Sequence, residues 1–273
     1  MLHPLSFVKL PAFFLFYVIA FGAQAQVFNT SVSGATGGTG RAAVQAGDAM
    51  YLNAATLAHL RGRHIYFSAN EDAWMGSLSD NTGTVIPASL GFIQNKTKAL
   101  GQDVKQQNIS LAVADFVMDR LTIGITGHYL QSKLDITGSY QQTNADIGLL
   151  YTAAPALGVG LVVYNAFGEK NDIPEEIRLK TTAALGLNYV YKEFIRLRFD
   201  ISSDPIYMAG FESYVSKWTI IRFGFQDDTD KKRKLWTGGF GFEGPKFGLS
   251  YAYQGNPDHS SDYRHSVDLQ IPF

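Results

Sequence analysis

Alternation of apolar and polar residues at every second position is the feature that most limits the folds open to this chain. After Arg61 the pattern recurs in fourteen stretches, each typical of a β-strand with one apolar face. We predict strands at residues 63–70, 72–79, 84–94, 105–117, 120–131, 143–153, 156–166, 179–190, 194–202, 207–214, 218–226, 235–242, 246–254 and 264–273. The alternation is weakest in 72–79 and 207–214, and without these two the count is twelve.

Alternation alone fits two architectures. In residues 194–202, for example, Ile195, Leu197 and Phe199 alternate with Arg196 and Arg198. A soluble sandwich would bury the apolar face, whereas a membrane barrel would turn it to lipid and the polar face to its lumen. Three further features favour the barrel.

The lengths of the connections are the first of these features. Tight connections at 118–120, 153–156, 191–193, 216–217 and 243–246 fall between longer polar ones at 95–103, 131–142, 168–178, 227–234 and 255–263. Only 202–207 is short where a long connection is due. Outer-membrane barrels have short periplasmic turns and longer extracellular loops, so this pattern indicates such a barrel.

Aromatic residues near the strand ends are the second feature, because aromatic girdles lie at both interfaces of a membrane barrel. The candidates are Tyr66, Trp74, Tyr129, Tyr151, Tyr164, Tyr189, Tyr191, Trp218, Phe225, Trp236 and Tyr253. The third feature is Phe273, which ends the chain in phase with Val267, Leu269 and Ile271. A terminal aromatic at this position resembles the signal by which the outer-membrane assembly machinery recognises its clients.

The first residues predict export. Residues 10–22 form an apolar run of 13 residues, followed by the small-x-small pattern Ala23-Gln24-Ala25. A membrane-spanning helix needs about 20 apolar residues, so we predict a cleaved signal peptide at 1–25 rather than an uncleaved anchor. The expected location is the outer membrane of a Gram-negative bacterium. Outer-membrane lipid and lipopolysaccharide are the expected surroundings.

Charge and composition exclude several other classes. The formal net charge is −1, or −2 once Lys9 leaves with the signal peptide, which gives no basic field for nucleic acid. The chain has no cysteine, which excludes disulfides and thiolate metal sites. We expect no metal and no cofactor.

The glycine-rich stretch from Gly34 to Leu60 raises the question of a phosphate site. A Walker loop requires Lys and then Ser or Thr after its last glycine, but Arg41 and Ala42 follow Gly40 here. A dinucleotide site requires a βαβ context, and antiparallel-type strands follow instead. The stretch therefore does not indicate a nucleotide site.

The same stretch, GRAAVQAGDAMYLNAATLAHL, resembles the N-terminal hatch of the long-chain fatty-acid transporter superfamily, which includes FadL-type transporters and PorV-like proteins. The resemblance rests on a glycine-rich entry ending at Gly40, on Asp48, and on Asn53 followed by small residues and Leu57. The family commonly has Asn-Pro-Ala where this chain has Asn53-Ala54-Ala55, so the fixed φ of that proline is absent. The C-terminal runs WTGGFGFEGPKFGLSYAYQ and HSVDLQIPF also look like the family's last three strands.

The resemblance implies an all-β fold: a transmembrane antiparallel up-and-down β-barrel of about fourteen strands, with twelve as the alternative. A partly helical plug or hatch segment at residues 26–62 would occupy the lumen of a barrel formed by 63–273. Asp48 and Asn53 would then bond to groups of the lumen, with Arg196, Arg198 and Asp200 as candidate partners. The alternative is a charge ladder that only supports the wall; we favour it for Asp200, and for Arg196 and Arg198 the two interpretations are even.

Three functions are compatible with such a barrel. The first is passive uptake of a small hydrophobic molecule, and the candidate lumen-facing residues for it are Phe116, Val162, Tyr164, Trp218 and Ile220. The second is a structural or protein-binding barrel, such as an accessory of a secretion system. The charge-rich run 227–234 could serve a protein partner, or could be a solvated loop against lipopolysaccharide.

The third function is an outer-membrane enzyme. Of the five histidines after the signal peptide, only His128 has a lumen-facing phase in a predicted strand. No HExxH motif or metal-ligand spacing is present, and His259 beside Ser260 and Asp262 lies in a polar loop. We therefore predict no catalytic residues, and uptake stands narrowly ahead of the partner role.

Overall fold

A computed structural model describes residues 28–273 except Thr84 and Thr137. The predicted signal peptide at 1–25 lies outside the described residues. The N-terminal part holds two short helices, α1 (Ser31–Ala35) and α2 (Ala49–Leu52), and a 3₁₀ helix at Ala54–His59. A second 3₁₀ turn, Glu175–Ile177, lies between two strands.

Fourteen strands follow the N-terminal part. They are β1 (Arg63–Asn70), β2 (Ala73–Asp80), β3 (Ala88–Ala99), β4 (Gln102–Met118), β5 (Leu121–Leu134), β6 (Gly138–Ala154), β7 (Leu157–Tyr164), β8 (Thr182–Tyr191), β9 (Ile195–Ser202), β10 (Ile206–Tyr214), β11 (Thr219–Asp228), β12 (Arg233–Glu243), β13 (Gly248–Asn256) and β14 (His259–Pro272). Both weak predictions, 72–79 and 207–214, correspond to strands of the structure, so the count is fourteen and not twelve.

The strands form one closed antiparallel barrel in chain order, in which β14 pairs with β1. Phe273 takes part in the closure, because its backbone N–H donates to the carbonyl of Arg63 at 3.0 Å. Closure leaves no sheet edge unpaired, which is the condition for crossing a lipid bilayer. The predicted up-and-down barrel is confirmed.

The two faces of the wall are inverted relative to a soluble protein. On β1 the side chain of Phe67 is 45% exposed while Ser68 is fully buried, and on β14 Val267 is 52% exposed while Asp268 is 2% exposed. An exposed apolar exterior around a buried polar interior fits lipid outside and protein or water inside. The wall is therefore a membrane-spanning surface. Among the described residues, no helix is long and apolar enough to cross a membrane.

The strand ends define two ends of the barrel. β1 begins and β14 ends at one end, which we call the terminal end. The connection at 165–181, between β7 and β8, lies at the opposite end, which we call the loop end.

Most of the predicted long loops are not loops. Four of the five predicted long polar connections consist largely of strand residues, and the chain reverses direction within two to four residues in each. They are 95–103, 131–142, 227–234 and 255–263. Polar residues extend the strands at the loop end because backbone pairing in a ladder does not require an apolar side chain. Only 168–178 belongs to a long connection.

The predicted aromatic girdle also needs correction. Tyr66 and Tyr164 are 3% and 5% exposed and face the lumen. Most of the other candidates are exposed on the outer wall, among them Tyr129, Tyr151 and Trp236.

Candidate functional site

Residues 28–62, which we call the luminal segment, lie inside the barrel. Nearly all of residues 30–58 are buried. Helix α1 contacts β11 to β14, and the 3₁₀ helix Ala54–His59 contacts β4, β5 and β6. The segment thus passes from one side of the inner wall to the other.

Glycines on the inner wall make room for the luminal segment. A Cβ atom added at any of these glycines would collide with the segment. They lie one each on strands β3, β5, β6, β7, β8, β10, β11 and β12: Gly91, Gly124, Gly148, Gly160, Gly186, Gly210, Gly224 and Gly239. At Gly160, for example, the added Cβ would lie 2.7 Å from the carbonyl carbon of Arg41. The segment itself turns at Gly37 and Gly38, whose φ angles of 71° and 83° favour glycine.

Two wall aspartates hold the first half of the segment. The carboxylate of Asp268 on β14 accepts from the backbone N–H and the hydroxyl of Ser31, both at 2.8 Å, and from the Tyr66 hydroxyl. The carboxylate of Asp200 on β9 accepts from the backbone N–H groups of Gly40 and Arg41 and from the Arg41 guanidinium at 3.1 Å. These buried carboxylates tie the start of α1 to β14 and the end of the glycine-rich turn to β9.

Asn53 holds the second half. Its amide Nδ2 donates to the carbonyls of Arg41 at 2.7 Å and Leu149 at 3.0 Å, and its Oδ1 accepts from the backbone N–H of Ala55 at 3.0 Å. One side chain therefore joins two turns of the segment and strand β6.

Hydroxyl groups of the wall complete the attachment by donating to backbone carbonyls of the segment. Thr122 donates to Ala55, Thr126 to Met50, Tyr164 to Leu52 and Thr237 to Ala35, over distances of 2.7 to 3.1 Å. The ends of short helices leave carbonyls without partners, and these hydroxyls satisfy several of them.

Asp48 is bonded within the segment rather than to the wall. Its Oδ1 accepts from the hydroxyls of Thr30 at 2.8 Å and Ser33 at 2.9 Å. Its Oδ2 is buried, and no polar group of the described residues bonds to it. Burial raises the pKa of the Asp48 carboxyl from 3.8 to about 6, although the two hydroxyl hydrogen bonds oppose the rise.

Arg196 and Arg198 belong to a buried cluster with a residue that sequence reasoning missed. Glu212 on β10 lies 3.1 Å from Arg196, 3.5 Å from Arg198 and 2.6 Å from Arg222 on β11. The expectation that Asp48 and Asn53 bond to Arg196, Arg198 or Asp200 was wrong. The acidic partner of Arg196 and Arg198 is Glu212 on the next strand, β10, and Asp200 pairs with Arg41 instead.

A cavity of about 1180 Å³ lies between the luminal segment and the loop end. Its floor includes Phe28 and Arg41 of the segment, and its walls include Leu130, Tyr164 and Met208. Charged residues near the exposed rim, such as Asp230 and Lys231, also line it. Apolar and polar residues therefore share the lining, and Asn108 lies directly opposite Leu130 on the neighbouring strand.

The connection at 165–181 folds back onto the inner wall at this mouth. Ile173 and Ile177 pack against Val104 of β4 and Leu134 of β5. Gln142 of β6 donates to the Ile177 carbonyl and accepts from the Leu179 N–H, each at 2.8 Å. The connection therefore narrows the opening of the cavity.

The structure does not bring the five predicted lumen-facing residues into one pocket. Tyr164 lines the cavity, and Val162 packs beside it with Ala184. Phe116 and Trp218 are exposed at the terminal end, so their predicted lumen-facing position was wrong. The ring of Phe116 meets His59 at a centroid distance of 5.0 Å, and Trp218 precedes β11. Ile220 is fully buried on β11.

The predicted hatch residues lie in the luminal segment. Gly40, with a φ of 150°, contributes its N–H to the Asp200 site, and Leu57 is 1% exposed in the apolar cluster with Met75 and Tyr66. Met208 of the cavity wall is 3.4 Å from the Arg41 guanidinium.

His128 has a neighbour that the sequence did not indicate. Its Nε2 lies 3.3 Å from Asp146 on the adjacent strand β6. His64 also faces inward and is 8% exposed, so His128 is not the only lumen-facing strand histidine. Within residues 28–273, leaving out Thr84 and Thr137, no three His, Cys, Asp or Glu side chains are placed to hold a metal ion.

Comparison with known proteins gives fold neighbours and no sequence relatives. No family model and no curated protein sequence matches the chain. The CymD monoaromatic hydrocarbon channel aligns with a TM-score of 0.70 at 14% identity, over 92% of this chain and 99% of that one. The Ralstonia pickettii toluene transporter TbuX aligns with a TM-score of 0.70 at 15% identity, over 90% and 99%.

A Pseudomonas aeruginosa FadL homologue aligns with a TM-score of 0.67 at 9% identity, over 89% of this chain and 98% of that one. This chain has the fold of these channels and transporters. Their sequences are too distant to carry over residue roles.

Proposed function

We propose that this chain is a FadL-like barrel of the Gram-negative outer membrane that takes up a small hydrophobic molecule passively. The luminal segment acts as a hatch between the cavity and the terminal end. The terminal end faces the periplasm and the loop end faces outside, in keeping with the long connection at the loop end.

The cavity above the luminal segment is the observation that carries the proposal. Its volume of about 1180 Å³ is enough for a small ligand, since ligand sites commonly measure about 300–1,000 Å³. Leu130, Tyr164, Met208 and Phe28 give an apolar ligand contacts in the cavity, beside polar lining residues such as Asn108 and Gln226. The fold neighbours named as hydrocarbon channels and toluene transporters support a ligand of this class.

The buried luminal segment supports a hatch rather than an open pore. A molecule in the cavity meets Phe28, Gly38 and Arg41 beneath it, so it can pass only if the segment shifts. The shift needs no chemical energy source, because a concentration gradient across the membrane drives passive uptake.

Uptake of a radiolabelled monoaromatic hydrocarbon tests the proposal. We expect cells whose outer membrane contains the barrel to take up toluene faster than cells without it, because the lipopolysaccharide leaflet hinders hydrophobic molecules that cross a phospholipid bilayer unaided. Leu130→Gln places an amide in the cavity and should reduce the increase in uptake rate that the barrel gives. The matched control is Leu235→Gln, because Leu235 is another buried lumen-facing leucine but does not line the cavity.

Equal rates for cells with and without the barrel would contradict uptake of this ligand class. If a protein also co-purified with the barrel in fixed stoichiometry, the result would support the second candidate, a structural or partner-binding barrel. Such a partner and the assembly machinery expected at Phe273 can be sought by mild crosslinking before extraction.

A further inference from the structure

Three lysines lie side by side on the outer surface of β3, β4 and β5. Strand register places Lys96 opposite Lys105, and Lys105 opposite Lys133. We call these three residues the lysine row. All three are exposed, whereas their chain neighbours Val104, Gln106, Ser132 and Leu134 are buried on the lumen side.

The lysine row is the upper one of three layers on this part of the wall. Phe92, Ile109 and Tyr129 are direct cross-strand neighbours and form an apolar layer. Two residues closer to the loop end, Gln94, Gln107 and Gln131 form a second layer, and Gln141 of β6 continues it. The lysine row follows after two more residues, or about 13 Å along the strands from the apolar layer.

This order matches the chemistry of a lipid leaflet. An apolar layer faces acyl chains, amides can bond to ester and sugar groups, and ammonium groups meet the phosphates of the headgroups. Lysine side chains are also long enough to adjust to the height of the phosphates.

Electrostatic repulsion among the three lysines argues against a face that is merely solvated. Like charges directly opposite each other on neighbouring strands destabilise a sheet. Among the described residues, no ion pair includes a member of the lysine row. On these strands Asp103 and Asp135 lie one layer closer to the loop end, beside Lys98. Asp72 of the β1–β2 turn is next to Lys96, whose backbone N–H donates to its carbonyl at 2.8 Å, but its carboxylate forms no ion pair with the lysine among the described residues.

The basic turn between β11 and β12 is different. Lys231 pairs with Asp228 at 3.2 Å, Lys234 lies 3.9 Å from Asp227, and Arg233 forms two bonds of 2.6 Å to Asp262. The cations of this turn are therefore largely neutralised by the barrel's own carboxylates, while those of the lysine row are not.

We propose that the lysine row binds the phosphate groups of lipopolysaccharide in the outer leaflet. The site rests on the loop-end orientation of the proposed function, and Lys96 and Lys105 also border the mouth of the cavity. Three ammonium groups spaced by neighbouring strands provide a line of positive charge that spans more than one phosphate. The glutamine layer beneath contributes donors to the sugar backbone of the lipid.

Native mass spectrometry of the purified barrel with added diphosphoryl lipid A tests the site. The variant Lys96→Gln/Lys105→Gln/Lys133→Gln should weaken binding on the order of a hundredfold, because each lysine near an anionic lipid surface contributes about fivefold. The control variant Lys231→Gln/Lys232→Gln/Lys234→Gln removes the same charge from the β11–β12 turn and should bind like the unaltered barrel. Migration of unheated samples in gels confirms that each variant is folded.

A second ligand separates phosphate recognition from acyl packing. Lipid A stripped of both phosphates should bind the unaltered barrel as weakly as the intact lipid binds the lysine-row variant. Equal affinity of the two triple variants for intact lipid A, or no effect of removing the phosphates, would overturn the proposal. In the second case the apolar layer would be the binding surface.

Discussion

Removal of the Asn53 side chain should make the luminal segment open more readily while the barrel stays closed. Asn53→Ala deletes three hydrogen bonds, to the carbonyls of Arg41 and Leu149 and from the N–H of Ala55. Each such bond contributes about 1 kcal/mol net, and the groups left behind are buried. The free energy of opening the segment should therefore fall by about 3 kcal/mol.

Hydrogen exchange followed by mass spectrometry measures this opening directly. A fall of about 3 kcal/mol corresponds to exchange about a hundredfold faster in peptides from 49–59, with the amides of the strands little changed. The matched control is Asn188→Ala, since Asn188 also lies on the inner side of β8 but its Oδ1 has no partner among the described residues. Exchange within fivefold of the unaltered barrel would refute the role of Asn53 as an anchor.

Three further perturbations have defined outcomes. Gly160→Ala places a Cβ against the Arg41 backbone and should make the segment sensitive to protease, whereas Gly127→Ala, with nothing within 4 Å, should not. Burial raises the pKa of Asp48 to about 6, so the folded state binds the extra proton. Stability of the segment should then be highest below pH 4 and fall by up to about 3 kcal/mol as the pH rises through 6; Asp48→Asn should flatten that exchange profile, and an unchanged profile would assign the titration to other groups. Glu212→Ala removes the carboxylate that Arg196, Arg198 and Arg222 share, and because Arg198 is fully buried it should cost about 3–5 kcal/mol in denaturant unfolding. Asp227→Ala, whose partner Lys234 is exposed, should cost less than about 1 kcal/mol, and equal losses would contradict the cluster's role.

The strands could be predicted from the sequence because successive residues of a barrel wall face lipid and lumen in turn and therefore differ in polarity. Phe67 beside Ser68 and Val267 beside Asp268 show this contrast in single steps of the chain. Fourteen predicted strands correspond to fourteen observed ones for this reason. The predicted strand limits were wrong at the loop end. There, strands such as β4 and β6 continue with polar residues on both faces, so the contrast in polarity disappears.

The contacts of the luminal segment could not be predicted in the same way. In the sequence Arg41 only departs from the pattern of a Walker loop, yet in the structure it pairs with Asp200, 159 positions away. Glu212 lies in a strand with weak alternation, so nothing in the sequence joined it to Arg198 or Arg222. Such pairings depend on which strands are neighbours and in what register, and the alternation pattern does not contain that information.

The wall glycines carried a signal that could have been used. Gly124, Gly148 and Gly160 stand in the lumen-facing phase of consecutive strands, where a side chain would normally fill the interior. A band of missing side chains implies that some other part of the chain fills the space. The glycine-rich N-terminal stretch was the candidate to do so.

A crystal structure of the barrel soaked with bromobenzene tests the uptake account most directly, because the anomalous signal of bromine locates the ligand without assumptions. The account predicts a bromine peak in the cavity between Leu130, Tyr164 and Met208, above the luminal segment. Leu130→Gln should remove this peak and Leu235→Gln should leave it. Bromine found only on the lipid-facing exterior, with an empty cavity, would contradict uptake through the lumen.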